Sequence, residues 1–261
     1  MAPLLELEGV VAGYGGGDIL RGLDLRVDEA SITCLVGPNG AGKSTVLKLI
    51  SGLLSPRRGE VRFRGQSIGG LSPKAVLKLG LVQVPQDRSL FGTMSVRENV
   101  RLGAFSLRDR ALSERRLAAV TEQFPLIAER GDEPAASLSG GQQKLVEFAR
   151  AMMLDPALLL LDEPSMGLEP KIRAQVFETV QRLNREGRTI MLVEQNARSG
   201  LQIADHGVVL ESGRVRLEGT GAEILADPHL SELYLGNAPR PAAGRAATPA
   251  NDRERIQHAE P

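Results

Sequence analysis

The sequence predicts an α/β protein, because strand and helix patterns alternate along most of its 261 residues. Three segments are apolar on both faces, as central parallel strands covered by helices are. These segments are Ile32–Val36, 158–161 and 189–193. A helical pattern follows each of them, at about 43–52, 170–186 and 196–204.

Alternating apolar and charged residues predict a second, antiparallel layer. Leu5 and Leu7 alternate with glutamates, and segments 23–27 and 61–63 show the same period of two. Such strands bury one face and expose the other. Near the end, segments 208–210 and 214–217 flank a Glu-Ser-Gly turn, which predicts a β-hairpin.

The strand signal disappears between about residues 86 and 137. Ser95 and Glu98 have capping-box spacing and begin one helix, and 106–129 has the pattern of a longer, charged helical stretch. We therefore predict a main domain over residues 4–236 with a helical subdomain inserted at about 87–140. Residues 237–261 are rich in Pro, Ala and Arg without apolar periodicity, so we expect a disordered tail.

Composition narrows the function classes. Lys+Arg and Asp+Glu both number 32, which argues against a general nucleic-acid binder, and we expect no nucleic acid as partner. Cys34 is the only cysteine, so no intrachain disulfide is possible; we expect a buried core thiol and a reducing compartment. No apolar run approaches the roughly 20 residues of a membrane span, and no signal-peptide pattern precedes the first strand.

A glycine-rich loop between the first central strand and the helix after it matches G-x-x-x-x-G-K-[ST], which is a phosphate-binding pattern. Its glycines turn backbone N–H groups toward phosphate oxygens, and the helix N-terminus adds a positive dipole end. Lys43 can reach the β- and γ-phosphates, and Ser44 offers a hydroxyl to Mg²⁺. The alternative is a plain glycine-rich turn. The loop consists of Gly37, Pro38, Asn39, Gly40, Ala41, Gly42, Lys43, Ser44 and Thr45.

Two carboxylates follow the four leucines of segment 158–161, at the strand end where open α/β sheets bind ligands. We expect Asp162 on the Mg²⁺ side and Glu163 as the residue that orients or deprotonates an attacking water. The alternative is a solvated Asp-Glu pair, but a phosphate loop upstream favours the functional interpretation.

A second glycine motif precedes that strand, at Leu138-Ser139-Gly140-Gly141-Gln142. Ser139 and Gln142 have capping-box spacing, so the motif begins a helix. Two glycines in the first turn cost about 1 kcal/mol each, which a cap alone does not require. We interpret the motif as a second anion site made of exposed backbone donors.

This pentapeptide, placed before the Leu-Leu-Leu-Leu-Asp-Glu strand, resembles the signature of ABC ATPases over about residues 4–236. The resemblance implies a P-loop NTPase core with an antiparallel β subdomain and a helical subdomain. It also implies a head-to-tail dimer with two ATP molecules at the interface, each capped by the other subunit's signature. Tyr14 matches the aromatic that stacks on adenine (the alternative is a core or turn tyrosine), and Gln86 matches the glutamine that senses Mg²⁺. Segment 165–170 is similar to the loop that crosses the interface.

One position departs from the general ABC pattern, because Gln195 stands where most members carry a histidine that contacts the γ-phosphate. Glutamine can hydrogen-bond a phosphate oxygen but carries no charge. We expect Glu163, Lys43 and Gln195 to form the catalytic set. The histidines at 206, 229 and 258 have no motif context.

The run Val193-Glu194-Gln195-Asn196 is similar to one ATPase subunit of branched-chain amino acid importers. This implies a peripheral protein on the cytoplasmic face of the inner membrane. Its partners would be two permeases, a second ATPase subunit and, indirectly, an extracytoplasmic solute-binding protein. A lipopolysaccharide-export ATPase usually keeps the histidine, and non-transport ABC ATPases usually insert a coiled coil or zinc cysteines. A regulatory pseudo-ATPase is disfavoured because Lys43, Asp162 and Glu163 are intact.

Overall fold

Two β-sheets organise the computed structural model, which describes residues 3–87 and 89–230. The strands in this part of the chain are β1 (Leu5–Ala12), β2 (Leu20–Val27), β3 (Ile32–Val36), β4 (Arg58–Phe63), β5 (Gln66–Ser67), β6 (Leu81–Val84), β7 (Leu158–Asp162), β8 (Thr189–Glu194), β9 (His206–Glu211) and β10 (Arg214–Gly219). The predicted tail and the predicted domain end at 236 lie outside the described residues.

The central sheet has the order β10-β9-β3-β8-β7-β6. Strands β9, β3, β8, β7 and β6 run parallel, and β10 closes the edge as an antiparallel hairpin with β9. The three predicted central strands and the predicted hairpin are confirmed. Sequence analysis missed β6, a strand of only four residues at the sheet edge.

The central sheet is buried on both faces, because alternate residues of each strand point into different cores. In β3, Cys34 packs into one core and Leu35 into the other; in β8, Leu192 and Met191 divide in the same way. Cys34 is fully buried and free, as predicted, and burial raises the pKa of its thiol. A strand with two buried faces has no polar face, which accounts for the continuous apolar runs.

The second sheet is antiparallel, with the order β2-β1-β4-β5. Its inward leucines, among them Leu5, Leu7 and Leu25, pack in one core with residues of the central sheet. The predicted antiparallel layer is confirmed.

The helices of the described residues are α1 (Lys43–Ile50), α2 (Pro73–Lys78), α3 (Val96–Leu102), α4 (Arg110–Gln123), α5 (Pro125–Arg130), α6 (Gly140–Met152), α7 (Pro170–Arg185), α8 (Ala197–Leu201) and α9 (Gly221–Ala226). The predicted capping box at Ser95 and Glu98 begins α3. None of the helices in this part of the chain combines the length and apolar character that crossing a membrane requires.

The helical stretch predicted at 106–129 is helical over most of its length, but it consists of two helices, α4 and α5. Phe124 separates α4 from α5 with φ −124° and ψ 86°, which is not helical. The next residue, Pro125, lacks a backbone N–H, and its ring disfavours helical geometry in the residue before it. Helices α3, α4 and α5 contribute Val100, Val120 and Ile127 to the core that also contains Phe148 of α6.

The turn of the β9–β10 hairpin joins the two sheets beside the predicted phosphate loop. Gly213 donates its N–H to the carbonyl of Ala41 at 2.9 Å and accepts from the N–H of Arg21 at 3.0 Å. Its φ is +80°, and a Cβ there would lie 1.7 Å from the carbonyl oxygen of Ile19. Only glycine fits, because both the backbone conformation and the close approach exclude a side chain.

We predict that Gly213→Ala destabilises the protein more than Gly187→Ala does. Gly187 also has a positive φ, of +89°, but a Cβ added there would meet no atom within 4 Å. Gly187→Ala should lower the free energy of unfolding only by the cost of placing alanine in a left-handed conformation, about 1–2 kcal/mol. The Gly213 variant should lose more and also bind ATP more weakly, since Ala41 must shift. Urea unfolding of both variants measures the difference, and equal losses would contradict the proposed contact.

Candidate functional site

Parallel register brings the predicted site residues to one edge of the central sheet. Strands β3, β8 and β7 are neighbours, with Val36 opposite Glu194 and Asp162 opposite Val193. The chain segments that leave these three strands therefore emerge side by side, at the carboxyl ends where α/β sheets bind ligands.

The phosphate loop follows β3 and wraps around the Lys43 side chain. Lys43 is only 6% exposed, and its ammonium donates to the carbonyls of Gly37 at 2.8 Å and Pro38 at 3.3 Å. Gly40 and Gly42 have φ of +82° and +111°, which are left-handed conformations that favour glycine. The loop thus holds a buried positive charge at the N-terminus of α1.

Glu163 lies directly opposite this charge. Its carboxylate is 3.7 Å from the Lys43 ammonium and accepts from the Gln86 amide at 3.4 Å. Glu163 has a φ of 43°, unusual for a residue with a side chain, and its N–H donates to Val193 at 2.9 Å. Such strain persists only where neighbouring contacts hold it, and it clusters at functional sites.

Asp162 has a buried oxygen that lacks a hydrogen-bond partner within the described residues. Burial, followed by the negative charge of Glu163, raises its pKa to about 6, although the positive charge of Lys43 opposes the rise. An ionised carboxylate in this position therefore needs a cation. The orphaned oxygen, the exposed Ser44 hydroxyl and the Gln86 amide offer oxygen ligands of the kind Mg²⁺ prefers.

Two neighbouring cavities collect most of the predicted site residues. One, of about 390 Å³, is lined by residues that include Lys43, Ser44, Gln86, Glu163 and Gln195. The other, of about 530 Å³, shares Glu163 and Gln195 and adds residues of the predicted interface loop, Ser165 to Leu168. Gln195 is exposed and lines both cavities.

Tyr14 lies in the loop between β1 and β2 and is 48% exposed, which excludes the alternative of a core tyrosine. The ammonium of Lys48, on α1, is 5.4 Å from the centre of its ring. The ring is therefore close to the helix that begins in the phosphate loop, and it presents a surface for stacking.

The signature segment, residues 138–142, begins a helix as predicted, but it lies apart from the phosphate loop. Ser139 and Gln142 form a complete capping box at the start of α6. A Cβ on Gly141 would lie 2.1 Å from Cγ2 of Ile172, so this glycine also allows α6 to pack against α7. Residues 139–142 line neither cavity. Within one chain, the signature and the phosphate loop do not meet.

Sequence analysis assigned no role to Glu194, which is only 2% exposed beside the site. Its carboxylate accepts from the N–H of Ser165 at 3.1 Å. Burial raises its pKa to about 7, and the hydrogen bonds from Ser165 oppose that rise. A glutamate as the last residue of an otherwise apolar strand was the signal that could have identified it.

A second unpredicted group connects the segment after Gln86 to α6. Glu147 is 2% exposed and accepts from the N–H and hydroxyl of Ser89 at 2.7 and 2.9 Å. Lys144 pairs with Glu147 at 2.6 Å, and Arg150 donates to the Ser89 carbonyl at 2.8 Å. The helix that carries the signature is thus fastened to the segment that carries Gln86.

Comparison with known proteins agrees with this geometry. Residues 20–166 match the family model described as ABC transporter. The high-affinity branched-chain amino acid transport ATP-binding protein BraG of Pseudomonas aeruginosa is 39% identical over 233 residues, covering 89% of this chain and 100% of that protein. The probable branched-chain amino acid transport ATP-binding protein LivF of Archaeoglobus fulgidus is 36% identical over 226 residues, covering 86% and 95%.

A solved structure of a nucleotide-free ATP-binding cassette from an ABC transporter is similar in fold, with a TM-score of 0.81 at 30% identity, covering 90% of this chain and 100% of that one. The chain therefore belongs to the ABC transporter family. Within that family it is an ATP-binding and ATP-hydrolysing subunit, so the fold and the activity implied by the resemblance are confirmed.

We predict that Glu194→Gln changes the pH dependence of stability. A carboxyl group whose pKa is raised to about 7 in the folded protein, from its ordinary value of 4.5, binds its proton more tightly when folded. The stability that this carboxyl contributes is therefore fully present at low pH and is lost as pH rises through 7. As pH rises from 5 to 8, the free energy of unfolding of the variant should increase by roughly 1–3 kcal/mol relative to that of the parent. Urea unfolding at several pH values measures this gain.

The matched control is Glu178→Gln, on an exposed position of α7. A Glu194 variant that behaves like the Glu178 variant would contradict the raised pKa.

Proposed function

We propose that this chain is the ATPase subunit of an ABC importer that takes up branched-chain amino acids or related small amides. The observation that carries the ATPase role is the meeting of Lys43, Glu163 and Gln86 beyond the carboxyl ends of β3, β7 and β6, next to the last residue of β7, Asp162. The relatives BraG and LivF, both named as branched-chain amino acid transport proteins, support the class of cargo.

ATP binds with its triphosphate on the loop 37–45. The backbone N–H groups of the loop and the dipole of α1 stabilise the phosphates, and the Lys43 ammonium moves from loop carbonyls to phosphate oxygens. Tyr14 stacks against the adenine. Binding uses groups that the fold already holds in place, which lowers the ordering cost.

Ser44, Gln86 and Asp162 hold Mg²⁺ together with phosphate oxygens. No cluster of three His, Cys, Asp or Glu side chains suited to a metal occurs within residues 3–87 and 89–230, so phosphate and water oxygens must complete the shell. When bound, Mg²⁺ neutralises charge on the β- and γ-phosphates. The buried Asp162 carboxylate thereby gains the counter-charge that its burial requires.

Glu163 orients the attacking water and accepts its proton. Its carboxylate lies between Lys43 and Gln86, and its backbone is held by Val193 and by its own left-handed turn. Gln195 donates a hydrogen bond to a γ-phosphate oxygen without adding charge. Lys43 therefore supplies the positive side-chain charge that this chain contributes to the transferred phosphoryl group.

A second ATPase subunit completes each site, in a homodimer or a heterodimer arranged head to tail. The signature at 139–142 lines neither cavity of its own chain, so the N-terminus of α6 is placed to serve a nucleotide held by another subunit. ATP has a higher affinity for the closed pair, so binding closes the dimer and hydrolysis reopens it.

The membrane permeases dock on a groove between α2 and the segment after α3. The groove has a volume of about 910 Å³ and is lined by residues that include Leu53, Leu77, Phe105 and Arg108. Leu53 is 63% exposed and Phe105 is 90% exposed, which marks an interaction surface. Docking there places the chain on the cytoplasmic face of the inner membrane as a peripheral protein, with α3, α4 and α5 as the helical subdomain that transmits movement. An extracytoplasmic solute-binding protein delivers cargo to the permeases.

We predict that Glu163→Gln lowers kcat for ATP hydrolysis by roughly 100-fold or more, since it removes a general base. Gln195→Ala should lower it only about 5- to 10-fold, since it removes one uncharged hydrogen bond. Steady-state assays with Mg²⁺ and the companion subunit measure both, and Gln195→His is the control that restores a donor. Comparable turnover by the parent and Glu163→Gln would defeat the proposed role of Glu163.

We predict that Leu53→Glu combined with Phe105→Glu abolishes co-purification with membrane permeases while ATP binding is kept. Docking of a permease in the groove would remove the introduced carboxylates from water, which is costly. Ala222→Glu is the control, since this residue is exposed on α9 and does not line the groove.

The proteins that co-purify with the parent identify the system. Recovery of a permease pair and a solute-binding protein that binds leucine, isoleucine or valine supports the proposal. Recovery of an exporter, or unchanged permease binding by the double variant, contradicts it.

A further inference from the structure

The loop that carries Tyr14 is unusually rich in glycine. Residues 13, 15, 16 and 17 are all glycines, and Asp18 follows them. Backbone hydrogen bonds close the loop, from Ile19 to Ala12 at 2.9 Å and from Gly17 to Tyr14 at 3.1 Å. Glycine loses more conformational freedom on ordering than any other residue, so a loop of this composition orders a tyrosine only if other groups hold it.

Arg57, which lies outside the loop, makes contacts that hold the loop in place. Its backbone N–H donates to the carbonyl of Val11 at 2.7 Å, which anchors the residue at the end of β1. Its guanidinium pairs with Asp18 at 2.6 Å and donates to the carbonyls of Gly13, at 3.4 Å, and of Gly15. One side chain therefore contacts the residues on both sides of Tyr14 and the far arm of the loop.

The shape of guanidinium suits this task. It presents several N–H donors in one rigid plane, whereas an ammonium is a compact point charge. The ion pair with Asp18 is partly exposed, and by itself such a pair contributes little to stability. Its use is geometric, because the pair directs the remaining donors toward the carbonyls of Gly13 and Gly15.

The ring of Tyr14 lies at the surface of the protein. It is 48% exposed, and the cation–π contact with Lys48, at 5.4 Å, approaches it from α1. The position of the ring relative to the phosphate loop therefore depends on the backbone of residues 13–18.

We propose that Arg57 is a positioning residue for the nucleobase: by holding the backbone around Tyr14, it sets the stacking geometry and so the part of ATP affinity that comes from adenine. This inference rests on the proposed role of Tyr14 as the adenine-stacking residue. Arg57 acts through that loop and contributes nothing to the affinity for the triphosphate.

Two ligands distinguish an effect on binding of the base from an effect on binding of the phosphates. Dissociation constants for ATP and for inorganic tripolyphosphate, both with Mg²⁺, are measured on protein carrying Glu163→Gln to slow hydrolysis. Arg57→Ala should weaken ATP binding roughly tenfold, while tripolyphosphate binding changes less than about twofold. Arg57→Lys should recover part of the ATP affinity. Arg58→Ala, a change at the exposed first residue of β4, should leave both constants unchanged.

A double-mutant cycle with Tyr14→Ala tests whether Arg57 acts through the tyrosine. In the Tyr14→Ala background, Arg57→Ala should add almost no further loss of ATP affinity. Equal weakening of ATP and tripolyphosphate by Arg57→Ala would overturn the inference, because it would show a direct charge effect on the phosphates. Additive losses in the cycle would overturn it as well.

The same variants distinguish failure of this inference from failure of the proposed function. If Tyr14→Ala weakens ATP binding and Arg57→Ala does not, the positioning role of Arg57 fails and the stacking role of Tyr14 stands. If Tyr14→Ala leaves ATP affinity unchanged, the stacking role itself fails, and the inference about Arg57 fails with it.

Discussion

The site depends on the register of three parallel strands. Because β3, β8 and β7 lie side by side with their carboxyl ends level, segments that are far apart in the chain meet within hydrogen-bonding distance. A shift of one residue in any pair would turn Asp162 or Glu194 to the other face of the sheet. Because these strands are apolar on both faces, it is the close packing of their side chains in the two cores that opposes such a shift.

Charge is distributed unevenly at this edge. Asp162, Glu163 and Glu194 are all partly or fully buried, and within the described residues the cation that forms an ion pair with this group is Lys43. The raised pKa values of Asp162 and Glu194, about 6 and about 7, express the cost of this arrangement. A site built in this way favours a bound cation, so the binding of a cation there and the protonation of these carboxyls are linked. Neutral Gln195 adds no further positive charge.

The separation of the signature from the phosphate loop has a consequence for assembly. Because the signature lines neither cavity of its own chain, the proposed site is completed by the signature of a second subunit. The network of Glu147, Lys144 and Ser89 fastens the signature helix to the segment after Gln86.

By itself, the sequence determined features that depend on neighbouring residues. The phosphate loop, the capping boxes at Ser95 and Ser139 and the apolar central strands were all predicted, because each follows from local backbone geometry or from burial periodicity. The break at Phe124 and Pro125 was equally local and could have been predicted. Only the tertiary structure decided the burial of Glu194, the contact of Gly141 with Ile172 and the reach of Arg57 across the Tyr14 loop. These contacts join residues whose separation in space is set by strand order and packing, which no local pattern encodes.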